Sequence, residues 1–311
     1  MTTGAIFHDP MGEAAAPSRL ARYFAADSKR RYMLFVLPAV AVMLAVIIFP
    51  WIFTFFMSVH DWRMGQAKTF VGLDNYTKLM NDERFVNSVV RTLVYTVLST
   101  VIPVVLGVLS ALVFHRNFPF RGVLRAVFIM PMMATPVAVA LVWTMMFHPQ
   151  LGVLNYLLGL VGIPPSLWVF DQATVIPSLV LVETWQWTPL VMLIVLGGLA
   201  SLPTEPYESA LIDGATPWQM FRNITLPLVL PFIMVATIIR TIDAVKAFDT
   251  IFVITLGGPG TASETINLYL YTVAFAFYDI GYASAMVVVF MVVIMALCLI
   301  LLHLRQRAQW S

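Results

Sequence analysis

The stretch PTEPYESALIDGATPWQMFRNITLPLVLP, residues 203–231, lies between two long apolar segments of the chain. Pro206 suits the first turn of a helix, and Glu208 in that turn suits the helix dipole. Gly214 supplies a sharp stop, and Pro217 can begin a second short helix that runs through Phe221. The stretch therefore predicts a helix–turn–helix that exposes apolar side chains and needs another protein to cover them.

Outward from this stretch, the chain is too apolar for a soluble domain. Of its 311 residues, 60% are hydrophobic and 11% are charged, whereas a soluble domain carries about 25% charged residues. A helix needs about 20 apolar residues to cross a bilayer, and its backbone groups must bond within the segment. We therefore predict an all-helical integral membrane protein with six transmembrane helices. The predicted spans are residues 32–58, 88–114, 123–147, 174–200, 228–255 and 281–304.

The basic residues predict how these spans are oriented. Five precede the first span, Arg116 and Arg121 follow the second, and Arg305 and Arg307 follow the last, while the loop 148–173 has none. Because short cytoplasmic loops are enriched in Lys and Arg, both termini are predicted to be cytoplasmic. The chain then divides into a basic tail (1–31), a six-span membrane domain (32–304) with a cytoplasmic loop (201–227), and a C-terminal tail (305–311). The apolar stretch 266–280 is too short to span, and is predicted to lie in the outer interface or beside the bundle.

Several kinds of chemistry are excluded by what the sequence lacks. No Gly-Lys is followed by Ser or Thr, so no phosphate-binding loop for ATP is expected, and neither G-x-S-x-G nor H-E-x-x-H occurs. Cys298 is the only cysteine, and the five histidines are scattered. The net charge of +2 and the absence of basic runs with interleaved aromatics argue against nucleic acid. We predict no catalytic site, no metal site and no cofactor in this chain.

The cytoplasmic loop 201–227 resembles the cytoplasmic signature of the permease subunits of binding-protein-dependent ABC importers, so we call it the docking loop of a predicted permease domain. That signature has Glu-Ala-Ala, a Gly shortly after it, and Ile-x-Leu-Pro about nine residues later. Ser209 replaces the usual alanine, and a small residue still fits a packed contact. In that family the short helix inserts into the ATP-binding subunit. The resemblance implies an ATPase-docking role for Glu208, Ser209, Ala210, Asp213, Gly214, Ala215, Phe221, Ile224, Leu226 and Pro227.

Two further stretches resemble the carbohydrate-uptake (maltose/glycerol-phosphate-type) branch of the family: FVGLDNYTKL (70–79) and RTIDAVKAFDTIFVITLGGPG (240–260). The resemblance implies a multi-pass subunit of the bacterial inner membrane, surrounded by membrane lipid, that moves a sugar or sugar-like solute by alternating access. The implied partners are a second homologous permease subunit, two ATP-binding subunits that hold ATP and magnesium, and an extracytoplasmic solute-binding protein.

Four charged residues inside the predicted fifth span mark a candidate solute path. Arg240, Asp243, Lys246 and Asp249 alternate in sign at a spacing of three, so each would lie one helical turn from an opposite charge. They are either a self-neutralising ladder that fixes this span, or groups that line the path, since charges within a membrane usually face a cavity or one another.

Aromatic and planar polar residues in other spans supply further candidates, because sugar sites combine such groups. These are Glu183, Gln186 and Trp187 in the fourth span and Trp143 in the third. The aromatic residues could instead be anchors at the membrane boundary.

Two other functions compete with an importer subunit. A stand-alone ion-coupled transporter would use the intramembrane charges for coupling, but predicts an inverted repeat that is not visible and leaves the docking loop unexplained. A membrane-embedded enzyme would require a clustered nucleophile or metal set at one depth, and the sequence shows none.

Overall fold

The computed structural model describes the backbone of residues 19–309 and the side chains of residues 35–300, 302 and 303. The chain divides into two units, residues 1–54 and residues 55–311. The first contributes most of helix α1, and the second contains every later element. The helices are α1 (Arg19–Ser58), α2 (Asp74–Met80), α3 (Glu83–His115), α4 (Arg121–Met133), α5 (Pro136–Met146), α6 (Val153–Leu160), α7 (Val175–Ala200), α8 (Glu205–Ile212), α9 (Pro217–Met220), α10 (Leu226–Val245), α11 (Asp249–Thr255), α12 (Ile266–Tyr271) and α13 (Ile280–Gln309).

Short segments complete the secondary structure. Two-residue strands β1 (His60–Asp61) and β2 (Thr69–Phe70) pair antiparallel, with His60 opposite Phe70. A 3-10 turn covers Trp168–Phe170, and π-helical turns cover Phe221–Thr225 and Thr272–Ala276.

Five helical segments within the described residues are long and apolar enough to cross a membrane. They are Phe35–Ser58, Glu83–His115, Val175–Ala200, Pro217–Val245 and Ile280–Ile300. The pair α4 and α5 makes a sixth span if it is counted as one bent crossing. The predicted all-helical membrane fold is thus confirmed. Of the predicted basic tail, residues 1–18 lie outside the described part, and helix α1 already begins at Arg19.

The predicted third span, 123–147, is not one straight helix. Helices α4 and α5 are bent by 98° at Ala134 and Thr135, both of which have extended backbones. Because Pro136 follows Thr135, a helical conformation at Thr135 is disfavoured, and the helix must restart at the proline. The hydropathy of a segment shows only that it is apolar over a sufficient length, so it cannot detect the bend between α4 and α5.

The predicted fifth span, 228–255, is also not one continuous helix. Helix α10 ends at Val245, and α11 begins at Asp249 after a short non-helical link. The Asn267 side-chain amide donates to the carbonyls of Val245 (3.1 Å) and Ala247 (3.5 Å). This amide from α12 satisfies carbonyls that a continued helix would have bonded internally, so the break is stabilised by a distant residue.

Helices α3, α7 and α10 form the centre of the second unit. Gly107 of α3 lies so close to α7 that a Cβ at this position would fall 2.5 Å from the Val191 Cβ. Gly198 of α7 would meet the Phe232 ring of α10 at the same distance. Small residues allow helix backbones to approach closely in membranes, where apolar burial alone gives little preference for helix contact over lipid.

Two apolar clusters mark opposite ends of this unit. At one end, Phe114, Leu199 and Val229 join the last turns of α3 and α7 to the beginning of α10. At the other end, Phe85 and Val245 pack with α12 and α13. The docking loop lies at the first end, because it connects α7 to α10 there.

The first part of the stretch 266–280 packs against the bundle, whereas residues 275–278 are exposed. Ile266, Leu268, Tyr269 and Val273 are each at most 6% exposed, and α12 contacts α3 and α13. Packing beside the bundle, one of the two predicted placements, is thus observed for residues 266–273.

Asp82 links α3, α12 and α13 at the end of the second unit where Phe85 and Val245 lie. Its carboxylate caps α3 by accepting hydrogen bonds from the Arg84 and Phe85 amides at 2.9 and 3.3 Å. It also accepts hydrogen bonds from the Tyr269 and Tyr282 hydroxyls, both at 2.6 Å. Burial raises the pKa of Asp82, but these four hydrogen bonds together outweigh burial and hold the pKa below its ordinary value of 3.8.

The Asp82→Asn variant is expected to lower stability at neutral pH by about 1–3 kcal/mol, because hydrogen bonds to a charged group are lost. A depressed pKa means that the carboxylate stabilises the folded state above pH 3.8 and that this contribution is lost as the pH falls through the lower folded pKa. The measurement is the thermal midpoint in detergent at pH 7 and near pH 3. The exposed Asp61, replaced by Asn, is the control. A gap between wild type and Asp82→Asn that is the same at both pH values would contradict the assignment.

Candidate functional site

A cavity of about 270 Å³ lies where α7, the end of α10 and the beginning of α11 meet. We call it the Arg240 cavity. It contains six of the eight predicted solute-path residues: Glu183, Trp187, Arg240, Asp243, Lys246 and Asp249. Pro136, Ala247, Phe248 and Thr250 complete the lining. The sequence thus identified most of the polar lining without knowledge of the partner helices.

A buried ion pair forms the inner wall of the Arg240 cavity. The Arg240 Nη2 atom donates to Glu183 Oε2 at 3.0 Å and to the Ser99 carbonyl at 3.2 Å. The Thr250 hydroxyl donates to the other oxygen of Glu183 at 3.3 Å. The two charged side chains are only 1% and 6% exposed. A buried charge requires such a partner, so this pair holds α3, α7, α10 and α11 in one arrangement.

The Arg240 guanidinium also lies over an aromatic face, 5.2 Å from the centroid of the Trp187 ring. Cation–π contact at this distance orients both groups. An indole of fixed orientation, with carboxylates and cations beside it, can hold a polar ring by stacking and hydrogen bonding.

Several buried polar atoms of α3 and α10 have no hydrogen-bond partner within the described part of the chain. They include Arg240 Nε and Nη1 and the hydroxyls of Tyr95, Thr96, Ser99 and Thr100. The four hydroxyl residues lie on α3 at spacings of one, three and four, so they share one face. This face was not predicted from the sequence, although hydroxyl residues recurring in an otherwise apolar span could have revealed it.

The structure does not contain the predicted ladder of alternating charges. Helix α10 ends at Val245, so Lys246 and Asp249 do not continue its helical spacing. Among the described residues, the ion pair of Arg240 is with Glu183 of α7, and no ion pair joins neighbouring members of the four. The residues share a cavity instead.

Gln186 and Trp143 lie outside the Arg240 cavity lining. The Gln186 amide is fully buried and donates to the Ala134 carbonyl at 3.2 Å, which stabilises the bend between α4 and α5. Trp143 is in an aromatic cluster, 5.3 Å from Phe147 and 5.8 Å from Trp185 between ring centroids. In the structure, both side chains support the neighbouring helices.

The docking loop forms a helix with a well-defined end. Helix α8 is followed by Asp213 and by Gly214, whose φ is +74°. The Gly214 amide donates to the Leu211 carbonyl at 3.2 Å, and the Ala215 amide to the Ala210 carbonyl at 2.9 Å. This pair of bonds is a Schellman motif, which requires a residue in the left-handed backbone conformation. Glycine adopts that conformation readily.

The second helix of the loop is anchored at its start and then continues into the membrane. The Thr216 hydroxyl accepts from the Gln219 amide, and the Gln219 side chain accepts from the Thr216 amide, which is a complete capping box. The helix does not stop at Phe221 as predicted. It continues through the π-helical turn, which contains Phe221 and Ile224, into Leu226 and Pro227 of α10.

Apolar side chains of the docking loop are exposed. Leu211 is 62%, Ile212 88% and Trp218 65% exposed. Glu208, Ser209, Asp213 and Gly214 are also exposed, while Ala210, Ala215, Phe221 and Ile224 are half-buried. The Tyr207 hydroxyl, which sequence analysis did not single out, donates to Thr225 Oγ1 at 3.0 Å and connects α8 to the π-helical turn. The loop thus presents an apolar surface on a defined scaffold.

No group of three or more His, Cys, Asp or Glu side chains that could hold a metal occurs among the described residues. We treat the Arg240 cavity and the docking loop as the two candidate sites.

A family model for the inner membrane component of binding-protein-dependent transport systems matches residues 103–309. The chain is 37% identical over 255 residues to the probable ABC transporter permease protein y4oQ of Sinorhizobium fredii, covering 81% of this chain and 82% of that protein. It is 36% identical over 256 residues to the trehalose/maltose transport system permease protein MalF of Thermococcus litoralis, covering 82% and 85%.

Among solved structures, a chain of a bacterial ABC transporter involved in the import of the acidic polysaccharide alginate matches with a TM-score of 0.79. The two chains are 24% identical, and the match covers 92% of this chain and 99% of the other. At that identity the likeness establishes the fold.

Proposed function

The chain belongs to the family of inner membrane components of binding-protein-dependent transport systems, and from this we propose that it is a permease subunit of an ATP-driven sugar importer. The solute is a sugar or sugar-like molecule that an extracytoplasmic binding protein delivers. The chain moves it by alternating access, and ATP with magnesium is bound and hydrolysed on partner subunits. Family membership supports this function over a stand-alone ion-coupled transporter.

The exposed apolar surface of the docking loop is the observation that carries the proposal. Leu211, Ile212 and Trp218 are exposed on a scaffold that is fixed by the Schellman motif and the capping box. Exposed apolar groups on an ordered element are typical of a protein interface. We assign this surface to the ATP-binding subunit, and place the docking loop and both termini on the cytoplasmic side. The complete importer contains a second homologous permease subunit and two ATP-binding subunits.

The Arg240 cavity is proposed as part of the solute path. Trp187 supplies an aromatic face, and carboxylates and cations supply hydrogen-bonding partners for hydroxyl groups. The trehalose/maltose transport relative supports a sugar as the solute.

The test is reconstitution of the assembled importer in liposomes with its binding protein. Sugar uptake is expected to require ATP on the side of the ATP-binding subunits and to persist when ion gradients are collapsed with ionophores. Uptake by this chain alone, driven by a proton or sodium gradient without ATP, would overturn the proposal. A useful control is the importer with an ATP-binding subunit that cannot hydrolyse ATP, which should bind but not accumulate sugar.

A further inference from the structure

The ionisable residues of the Arg240 cavity do not balance. Glu183, Asp243 and Asp249 are carboxylates, and Arg240 and Lys246 are cations. With all five ionised, the lining has one more negative than positive charge. An incoming solute therefore meets a weakly acidic cavity despite the arginine in its wall.

Arg240 does not offer a free positive charge to the solute, because it is already paired with Glu183. Arg240 is bonded to Glu183 at 3.0 Å, and both side chains are buried. The charges that remain available to a solute are Lys246, Asp243 and Asp249, and all three residues are exposed. A second anion would have to share Arg240 with Glu183 or pair with Lys246, and in either place it would lie near Asp243 and Asp249, which like-charge repulsion disfavours.

The hydrogen-bonding groups of the Arg240 cavity fit an uncharged polyhydroxy molecule. Arg240 is 1% exposed, and its Nε and Nη1 atoms have no hydrogen-bond partner among the described residues. A neutral hydroxyl oxygen can accept from these atoms without adding charge. The carboxylates of Asp243 and Asp249 are acceptors only, so they fit the donating side of the same hydroxyl groups.

Resting on the proposed function, we propose that the Arg240 cavity takes an uncharged sugar, and that Asp243 and Asp249 discriminate against solutes that carry a carboxylate, sulfonate or phosphate. The two aspartates are specificity-determining residues, and the Arg240–Glu183 pair positions the remaining arginine N–H groups for the sugar hydroxyls.

Direct binding to the assembled transporter in lipid nanodiscs, without the binding protein, tests the proposal independently of the selectivity of that protein. The probes are radiolabelled pairs that differ only by oxidation at C6: glucose and glucuronate, galactose and galacturonate, mannose and mannuronate. Equilibrium dialysis at neutral pH is expected to show at least about ten-fold weaker binding of the uronate in the pair that binds best, equivalent to about 1.4 kcal/mol.

Charge variants test whether the aspartates cause the preference. Replacing Asp243 and Asp249 together by Asn leaves the Arg240 cavity with one excess positive charge, so uronate binding relative to the neutral sugar is expected to rise at least about ten-fold. Asp61→Asn makes the same chemical change at an exposed strand position outside the cavity and should leave the ratio unchanged.

The outcomes separate this inference from the proposed function. Equal or tighter binding of the uronate by the wild type, an unchanged ratio in the double variant, or no binding of any sugar would overturn the assignment of the Arg240 cavity. If ATP-dependent uptake of a uronate accompanies such a result, the proposed function stands and only the solute class is wrong. If no sugar uptake depends on ATP, the proposed function itself fails.

Discussion

Arg240→Met is expected to lower the free energy of unfolding by about 3–5 kcal/mol, because it leaves the Glu183 carboxylate buried without its counter-charge. The Thr250 hydroxyl would still donate to Glu183 at 3.3 Å, but this neutral donor does not replace the charge of the arginine. Thermal unfolding in detergent, followed by size-exclusion recovery, measures the loss. Arg63→Met is the control, since Arg63 pairs with Asp279 while its side chain is 52% exposed, and an exposed pair contributes at most about 1 kcal/mol.

The double variant Arg240→Met with Glu183→Leu separates stability from function. Replacing both charges by apolar groups of similar volume removes the unpaired charge, so most of the lost stability should return. Solute-stimulated ATP hydrolysis should not return, because the proposed arginine donors to the sugar are gone. A double variant that transports at the wild-type rate would show that the pair has a structural role only.

Gly214→Val is expected to reduce recovery of the ATP-binding subunit with this chain at least about ten-fold, and ATP-driven uptake with it. At a φ of +74°, a β-branched residue costs roughly 1–2 kcal/mol or more. This backbone strain is most easily relieved by unwinding the last turn of α8, which would displace the exposed Leu211 and Ile212. Co-purification with an affinity-tagged chain measures the result.

Gly162→Val is a closely matched control for that experiment. Gly162 also has a φ of +74° and follows α6 in a Schellman motif, with the Ile163 amide donating to the Leu158 carbonyl at 3.0 Å. A Cβ at Gly162 or at Gly214 would meet no atom within 4 Å. The backbone strain is therefore the same, but Gly162 lies outside the docking loop. Equal recovery of the ATP-binding subunit with both variants would contradict the docking assignment.

The sequence was a reliable guide where a property is local. The bounds of the second and fourth spans, and the turn at Gly214, follow from apolar length and from the conformational freedom of glycine. The helix–turn–helix of the docking loop could be predicted because its residues are consecutive, but its most exposed apolar side chains, Ile212 and Trp218, were not among the predicted docking residues. For the Arg240 cavity, the sequence could identify charged residues in apolar segments, since such residues rarely face lipid.

Partners distant in the chain could not be predicted in this way. Glu183 is 57 residues from Arg240, and nothing in the spacing of either helix indicates the pair. The end of α10 depends on Asn267, which is 22 residues beyond Val245. The predicted ladder failed for the same reason, because it assumed a continuous helix and intrahelical partners.

The uninterrupted helix from Pro217 to Val245 joins the two candidate sites mechanically. Pro217 lies in the docking loop, and Arg240 lies 23 residues further along the helix, which corresponds to about 35 Å at about 1.5 Å per residue. Over that length a tilt of about 5° displaces one end by roughly 3 Å relative to the other. The helix can therefore act as a lever, so that a small rotation at the docking loop becomes an atomic-scale displacement at the cavity.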